Sequence, residues 1–440
     1  MKNLILTLSL ILFILFCFLL YPKTDSPDIV KFLLLSQIIL IVYLFILFFT
    51  KKISFSFREH KKLFYILIII GILIRCSVSI GAGEISYLSD DVYRYIFEGE
   101  MVSHCYNPYI LSPDNMAGSS FADSNIYSKI NHPWHVTIYP PLAQYLFAIC
   151  HIIGGDSIVG FKILSFLFEL LSLFLMFQFV KRYSLPDWSF LIYLFSPLVI
   201  IEFLFSNHLD IFGLPFLLGA LILLKEYRKH LVGIAILLAL ATLIKFYILF
   251  FIPFILTKMK LKEIAQFLSI YLLTIVVFYM PFIASSGSDV LGSLVVYLET
   301  WQYNGSLFLL LKQVFSQEVA RYICLGIFLS AYVPLLLLKK IKTDLYLQCF
   351  LIFAVYVIVA PALFNWYLLW IIPFVVYFRN IAFIVFSGTC MLSYHVLIGY
   401  YAEGSWSYMP WLSFISYLPF YLLLVYSIYR FFKTKNAVSV

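Results

Sequence analysis

Charge is scarce in this chain. Asp, Glu, Lys and Arg together make 12% of its 440 residues, about half the share usual in soluble domains, which excludes an ordinary water-facing surface over most of the molecule. Cysteines are few and unpaired in pattern: Cys17, Cys76, Cys105, Cys150, Cys324, Cys349 and Cys390 include no Cys-x-x-Cys. Neither a disulfide framework nor a cysteine-built zinc site follows from them. Alternation of apolar and polar residues with period two is missing, which excludes a transmembrane β-barrel. There is also no soluble stretch in which a Rossmann domain would fold, so no nucleotide site is expected.

What the chain has is hydrocarbon. It is 63% hydrophobic and 20% aromatic, with mean hydropathy +0.99. Its Leu, Ile and Phe runs are about as long as a helix needs to cross a bilayer while satisfying its own backbone. The expected fold is all-α, a polytopic integral membrane protein. The net charge of +8 sits in short basic clusters between apolar runs, where it signals topology and implies the lipid bilayer, not a nucleic acid, as partner.

With the amino terminus inside, spans are expected near 4–21, 31–50, 63–81, 157–180, 188–205, 209–224, 231–244, 246–257, 264–283, 320–338, 345–361, 365–378, 381–399 and 410–430. That makes about fourteen, within a range of twelve to fourteen. The run Leu4 to Leu20 lacks a small-residue cleavage site and reads as an uncleaved first span. Lys51, Lys52, Arg58, Lys61 and Lys62, then Lys181 and Arg182, then Lys225, Arg228 and Lys229, and later Lys258, Lys260, Lys262, Lys339, Lys340, Lys342 and Arg379, fall on the cytoplasmic side. The apolar run Leu142 to Ile153 is too short to span, and counting it would reverse every later loop. It is read as an interfacial or re-entrant helix.

This layout places the loop 82–156, the tip Asn207-His208-Leu209-Asp210, the loop 284–319 and Phe364-Asn365-Trp366-Tyr367 on the outer face. The loop 82–156 opens on Ser89-Asp90-Asp91-Val92-Tyr93-Arg94-Tyr95. Adjacent carboxylates at a membrane surface are costly and point to use. Ser89 is a suitable N-cap, and acids in the first turn favour the helix dipole. Asp91, Arg94, Tyr95 and Glu98 share a face of an amphipathic surface helix, with Val92, Ile96 and Phe97 opposite. Two readings stand here: the acids only cap the helix and pair with Arg94, or they serve a site. Asn107-Pro108-Tyr109, Asn131-His132-Pro133-Trp134 and Tyr139-Pro140-Pro141 are turn and helix-start signals that fold short surface helices over the acids, which favours a site.

The acidic pair after an early span, Tyr93-Arg94-Tyr95 with Glu98-Gly99, Asn107-Pro108-Tyr109 and Tyr139-Pro140-Pro141-Leu142 resemble the first outer loop of GT-C glycosyltransferases that use polyprenyl-phosphate sugars. Within that class the chain is most similar to bacterial relatives of the mannosyltransferases, including the one in glycosylphosphatidylinositol assembly. The similarity continues at Asn207-His208-Leu209-Asp210, Lys245-Phe246-Tyr247 and Asn365-Trp366-Tyr367-Leu368-Leu369-Trp370. It makes residues 63–440 a GT-C-like catalytic domain and 1–62 an added helical hairpin with a basic loop.

The resemblance implies that Asp90 is the catalytic base. The eukaryotic relatives carry Asp-x-Asp where this chain has Asp-Asp-Val, so Asp91 and any divalent cation, magnesium or manganese, are left open. It also implies a polyprenyl-phosphate sugar donor and a glycan or glycolipid acceptor. One carboxylate suffices for such chemistry, because the lipid phosphate leaves already anionic and needs no general acid, whereas a glycosidase needs two flanking carboxyl groups.

Arg94, Lys245 and Arg75 are the candidate cations for the departing phosphate. For Lys245 and Arg75 the competing reading is snorkelling to the interface. Tyr93, Tyr139, His208, Asp210, Asn365, Trp366 and Tyr367 are candidates for the substrate. His208 and Asp210 read equally well as a solvated tip, and most tryptophans as an interfacial belt. Lys162 and Glu169 read as a structural pair inside the bundle. Two rivals share these surfaces: a transporter or flippase of lipid-linked sugars, which would place ionisable groups at mid-membrane between repeated halves, and a lipid-linked glycan polymerase or ligase, whose large loop would come late in the chain.

Overall fold

The computed structural model of the chain describes residues 10–11, 13–15, 17, 28–81, 86–286, 290–337 and 344–437. The expected first span and the lysines at 339, 340 and 342 lie largely or wholly outside these residues. Apart from an isolated bridge of Tyr303 and Asn304 with Ala362, every regular element among the described residues is helical.

Among the described residues, eight helices are long and apolar enough to cross a membrane: Ile29–Lys52, Lys61–Gly81, Val159–Arg182, Asp187–Phe205, Leu261–Ala284, Gln317–Leu337, Ile381–Glu403 and Pro410–Arg430. On Leu261–Ala284, the side chains of Leu272, Leu273, Val276, Val277 and Met280 are all exposed. An apolar stripe of that length tolerates exposure only in hydrocarbon. The protein is a polytopic, multi-pass membrane protein.

The chain divides into two units. The first holds residues 1–83, 180–205 and 371–440. Its helix α1 (Ile29–Lys52) starts where Asp28 accepts from Lys31 N and ends on Lys51 and Lys52, both favourable to the dipole. Helix α2 (Lys61–Gly81) follows. Its Gly71 lets the backbone approach Leu194: a Cβ there would lie 2.4 Å from Leu194 Cδ1. Pro197 supplies no N–H to continue the helix that begins at Phe190, and residues 200–205 run on as a π-helix. Arg75 covers the break, donating to Leu194 O at 2.7 Å and Gly71 O at 3.2 Å.

The second unit holds residues 84–179 and 206–370 and carries most of the polar motifs. Here α3 (Asp91–Ser103) packs on α4 (Pro141–Gly154), and α5 (Val159–Arg182) follows. Gly99 is what allows the approach, since a Cβ would sit 2.2 Å from Phe147 O. Tyr95 stacks between Phe147 at 4.7 Å and Phe161 at 5.4 Å.

Two expectations are corrected. The helix α3 does not lie along a surface with one wet face: Val92, Tyr93, Arg94, Tyr95, Ile96, Phe97, Glu98 and Gly99 are all buried, because α4 and the intervening loop cover the polar side as well. The expected spans 246–257 and 365–378 are not continuous helices. Residues 246–250 form a 3₁₀ turn before a five-residue helix, and 365–371 form another before a seven-residue one. Lys245 at the first break is extended, with φ −154° and ψ 136°. Irregular backbone in such a protein is tolerated where the protein itself surrounds it or lines a cavity, and both breaks deliver side chains to the site below.

Candidate active site

The acids stand at the start of α3. Asp90 occupies the N-cap position without making a side-chain cap bond, while Ser89 Oγ accepts from Asp91 N at 3.2 Å. The capping role thus falls to Ser89, and the two carboxylates are turned elsewhere. Both meet the amide of Asn131, which donates to Asp90 Oδ1 at 2.6 Å and Asp91 Oδ1 at 2.9 Å.

Asp90 is partly exposed, and its carboxyl is pushed up to about 6, first by desolvation and then by the neighbouring Asp91 charge, with the Asn131 bond opposing. A carboxylate tuned to that range takes a proton readily near neutral pH.

Arg94 does not pair with the acids. Its guanidinium donates to Glu98 at 2.7 Å and to His132 O at 3.0 Å, and also reaches His135 O. Glu98 is in turn fully engaged: Thr137 Oγ1 donates at 2.7 Å and Gln144 Nε2 at 2.6 Å. This buried network ties α3 to the 131–137 loop and to α4. Arg94 therefore places Asn131 opposite the acids, and its donors are taken up by that task.

The tip at 207–210 is not solvated, which corrects that reading: Asn207, His208 and Asp210 are wholly buried. His208 Nδ1 stands 3.9 Å from Asp91 Oδ2, and its ring stacks on Trp366 at 3.5 Å with an interplanar angle of 19°. Burial, aided by the Lys245 charge, holds His208 well below the usual histidine range, so the imidazole is neutral. Asp210 accepts from Trp370 Nε1 at 2.7 Å and lies 3.7 Å from Lys245 Nζ.

Lys245 does not snorkel to an interface. Its ammonium sits over the rings of Tyr139 at 5.4 Å and Tyr367 at 5.2 Å, and the Tyr367 hydroxyl is hydrogen-bonded to that of Tyr297. Asn365 and Trp366 are buried at the start of the second 3₁₀ turn, so Trp366 and Trp370 are interior groups and not belt residues.

The fold thus gathers Asp90, Asp91, His208, Asp210, Lys245, Tyr139, Trp366 and Tyr367 within one unit. Tyr93 is buried and used locally, accepting from Ser86 N with Lys129 over its ring. Arg75 belongs to the other unit, where its donors serve backbone carbonyls. The sequence marks Asn131 only as a turn residue; its amide stands some forty positions from the acids, and no spacing rule links the two. Trp370, which the sequence offers within the motif Asn365 to Trp370, is used through its indole N–H, donated to Asp210.

A divalent cation between Asp90 and Asp91 does not fit these residues as placed. The Asn131 amide donor already bridges the two carboxylates, and no step is routed through a metal there.

A carboxylate pair with Asp90 tuned upward, together with a half-buried lysine and aromatic rings in the same unit of an all-helical multi-span chain, suits a membrane glycosyltransferase. Residues 86–260 match the family model described as alpha-(1->6)-mannopyranosyltransferase, N-terminal domain, a GT-C-type mannosyltransferase family. The protein is a glycosyltransferase. The match takes in the acids, Asn131, His208, Asp210 and Lys245, and stops short of Asn365 to Trp370. No curated protein matches the chain significantly.

Proposed function

We propose that the protein moves mannose from a polyprenyl-phosphate donor to a glycan or glycolipid acceptor by a single inverting displacement, on the outer face of a bacterial cytoplasmic membrane. Asp90 removes the proton of the acceptor hydroxyl as the oxygen attacks the anomeric carbon, and the bond to the lipid phosphate breaks on the opposite side. Lys245 receives the charge on the departing phosphate. Asp91, held by Asn131 beside neutral His208, orients the sugar hydroxyls together with Trp366 and Tyr367.

The observation that carries this reading is the state and placement of Asp90. One carboxylate is pushed up to about 6 and partly exposed, and the other polar groups are fixed in place around it. A single base of that kind suits a leaving group that needs no protonation. A transporter has no need of a tuned base, and the family match adds mannosyl transfer.

The test supplies the purified protein in lipid nanodiscs with radiolabelled polyprenyl-phosphate mannose, or with a nucleotide-activated mannose, beside a membrane-lipid extract as acceptor. Label should pass to the acceptor from the lipid donor alone. Transfer from the nucleotide donor, or uptake of donor without any glycosyl product, would refute the reading.

A further inference from the structure

At the opposite end of α3 from the acids is a second set of polar groups that the reaction above does not use. Glu100 lies in the last turns of α3, His151 in the last turn of α4, and Asp156 just after Gly155, which closes α4 with φ +57°. A carboxylate oxygen of each acid and a ring nitrogen of the histidine all lie within 4.8 Å of one another.

Among the described residues, none satisfies this trio. His151 Nδ1 is buried and makes no hydrogen bond, and Asp156 Oδ1 stands 3.8 Å from it, too far for a hydrogen bond. Two carboxylates that face each other across an imidazole repel unless a proton or a metal cation stands between them. Ligand atoms about 2.1 Å from a shared cation stand roughly 3 to 3.5 Å apart in tetrahedral geometry, so side-chain rotations within the trio, in which Asp156 is exposed, have to draw the set together. Two hard carboxylates with one borderline imidazole suit a divalent first-row metal of the zinc type.

We propose that Glu100, His151 and Asp156 form a structural site for a divalent transition-type cation, with zinc as its representative, that clips the end of α3 to the turn after α4. Water fills the remaining coordination positions on the exposed side. The site stands nine residues along α3 from Asp91, roughly 13 Å at the helical rise, so the cation takes no part in bond-making. It fixes the far end of the helix whose first turn presents the acids, where Gly99 already brings α3 against Phe147 O. The inference stands whether or not the polyprenyl-phosphate reading holds, because it rests on metal binding alone.

The experiment treats the full-length protein in nanodiscs with chelator, removes the chelator, and titrates zinc chloride, counting bound metal by elemental analysis and following thermal unfolding. About one zinc per chain should bind and raise the unfolding temperature. His151→Gln and Asp156→Asn should each weaken binding at least about tenfold, and the double variant should abolish it. Asp156 is exposed, so its variant tests the site without threatening the fold. Asp91→Asn should bind zinc as wild type does, which separates this site from the acidic pair. Absence of stoichiometric binding in the wild type, or binding retained by the double variant, would overturn the proposal.

Discussion

Replacing Asp90 by asparagine tests the centre of the argument, because it separates what the carboxylate does for the reaction from what it costs the fold. Asn keeps the size and one acceptor but takes up no proton, so transfer should fall by at least about a hundredfold, the usual loss for a general base. The same carboxyl is pushed from 3.8 up to about 6 in the folded protein. Moving a pKa that far corresponds to about 3 kcal/mol, and partial exposure of Asp90 brings the expectation nearer half of that.

The sign is fixed by linkage. A folded-state value above the unfolded one means that the ionised form is disfavoured on folding. The wild type therefore loses stability as pH rises from about 4 through 6 and stays lower above that. Asp90→Asn should unfold at a temperature similar to wild type near pH 4 and at a higher one at pH 7.5. Wild-type kcat/KM should rise about tenfold per pH unit below 6 and level off above it. Nanodisc-embedded protein, a radiolabel transfer assay and thermal unfolding across pH 4 to 8 give all three readouts. A variant that keeps near-normal transfer, or one no more stable than wild type at pH 7.5, would refute the assignment of Asp90.

The remaining expectations concern its neighbours and the topology. Asn131→Ala removes the bond that lowers the Asp90 value, so the acid limb of the pH profile should move to higher pH with transfer reduced about tenfold or more; an unmoved limb would leave Asn131 a mere turn residue. Lys245→Ala should raise KM for the lipid donor more than for the acceptor, and should cost roughly 3 to 5 kcal/mol of stability by stranding Asp210 in the interior. Lys245→Met combined with Asp210→Asn recovers the stability but not the donor affinity, and recovery of both would remove the phosphate role. In a Cys105→Ser background, needed because Cys105 is exposed, cysteine at Asn115 or Glu299 should react with an impermeant thiol reagent in intact cells and cysteine at His230 should not. The reverse pattern would put the acids inside.

The membrane class was legible from Leu261 to Ala284 and its like, because a spanning helix satisfies its own backbone and needs only length and apolarity, both of which are local properties. Likewise Asp90, Asp91, His208, Asp210 and Lys245 stood out, since a polar group in a hydrocarbon-rich chain is costly wherever it falls. Their partners were another matter. Whether Arg94 meets Asp91 or Glu98 depends on Thr137 and Gln144, which complete the Glu98 network from other segments and leave Asn131 to hold the acids.

Likewise Lys245 and Arg75 are each a lone cation near an apolar run, and the sequence gives them the same two readings. Only packing separates them: an unwound backbone turns Lys245 toward Asp210, and a proline break turns Arg75 toward orphaned carbonyls. Composition and period are written into each segment singly, whereas a hydrogen bond between residues forty or more positions apart exists only once the helices have packed. For that reason the chain alone declares a membrane protein with costly acids, and the tertiary structure decides which of those acids is paired, which is tuned, and which cation faces them.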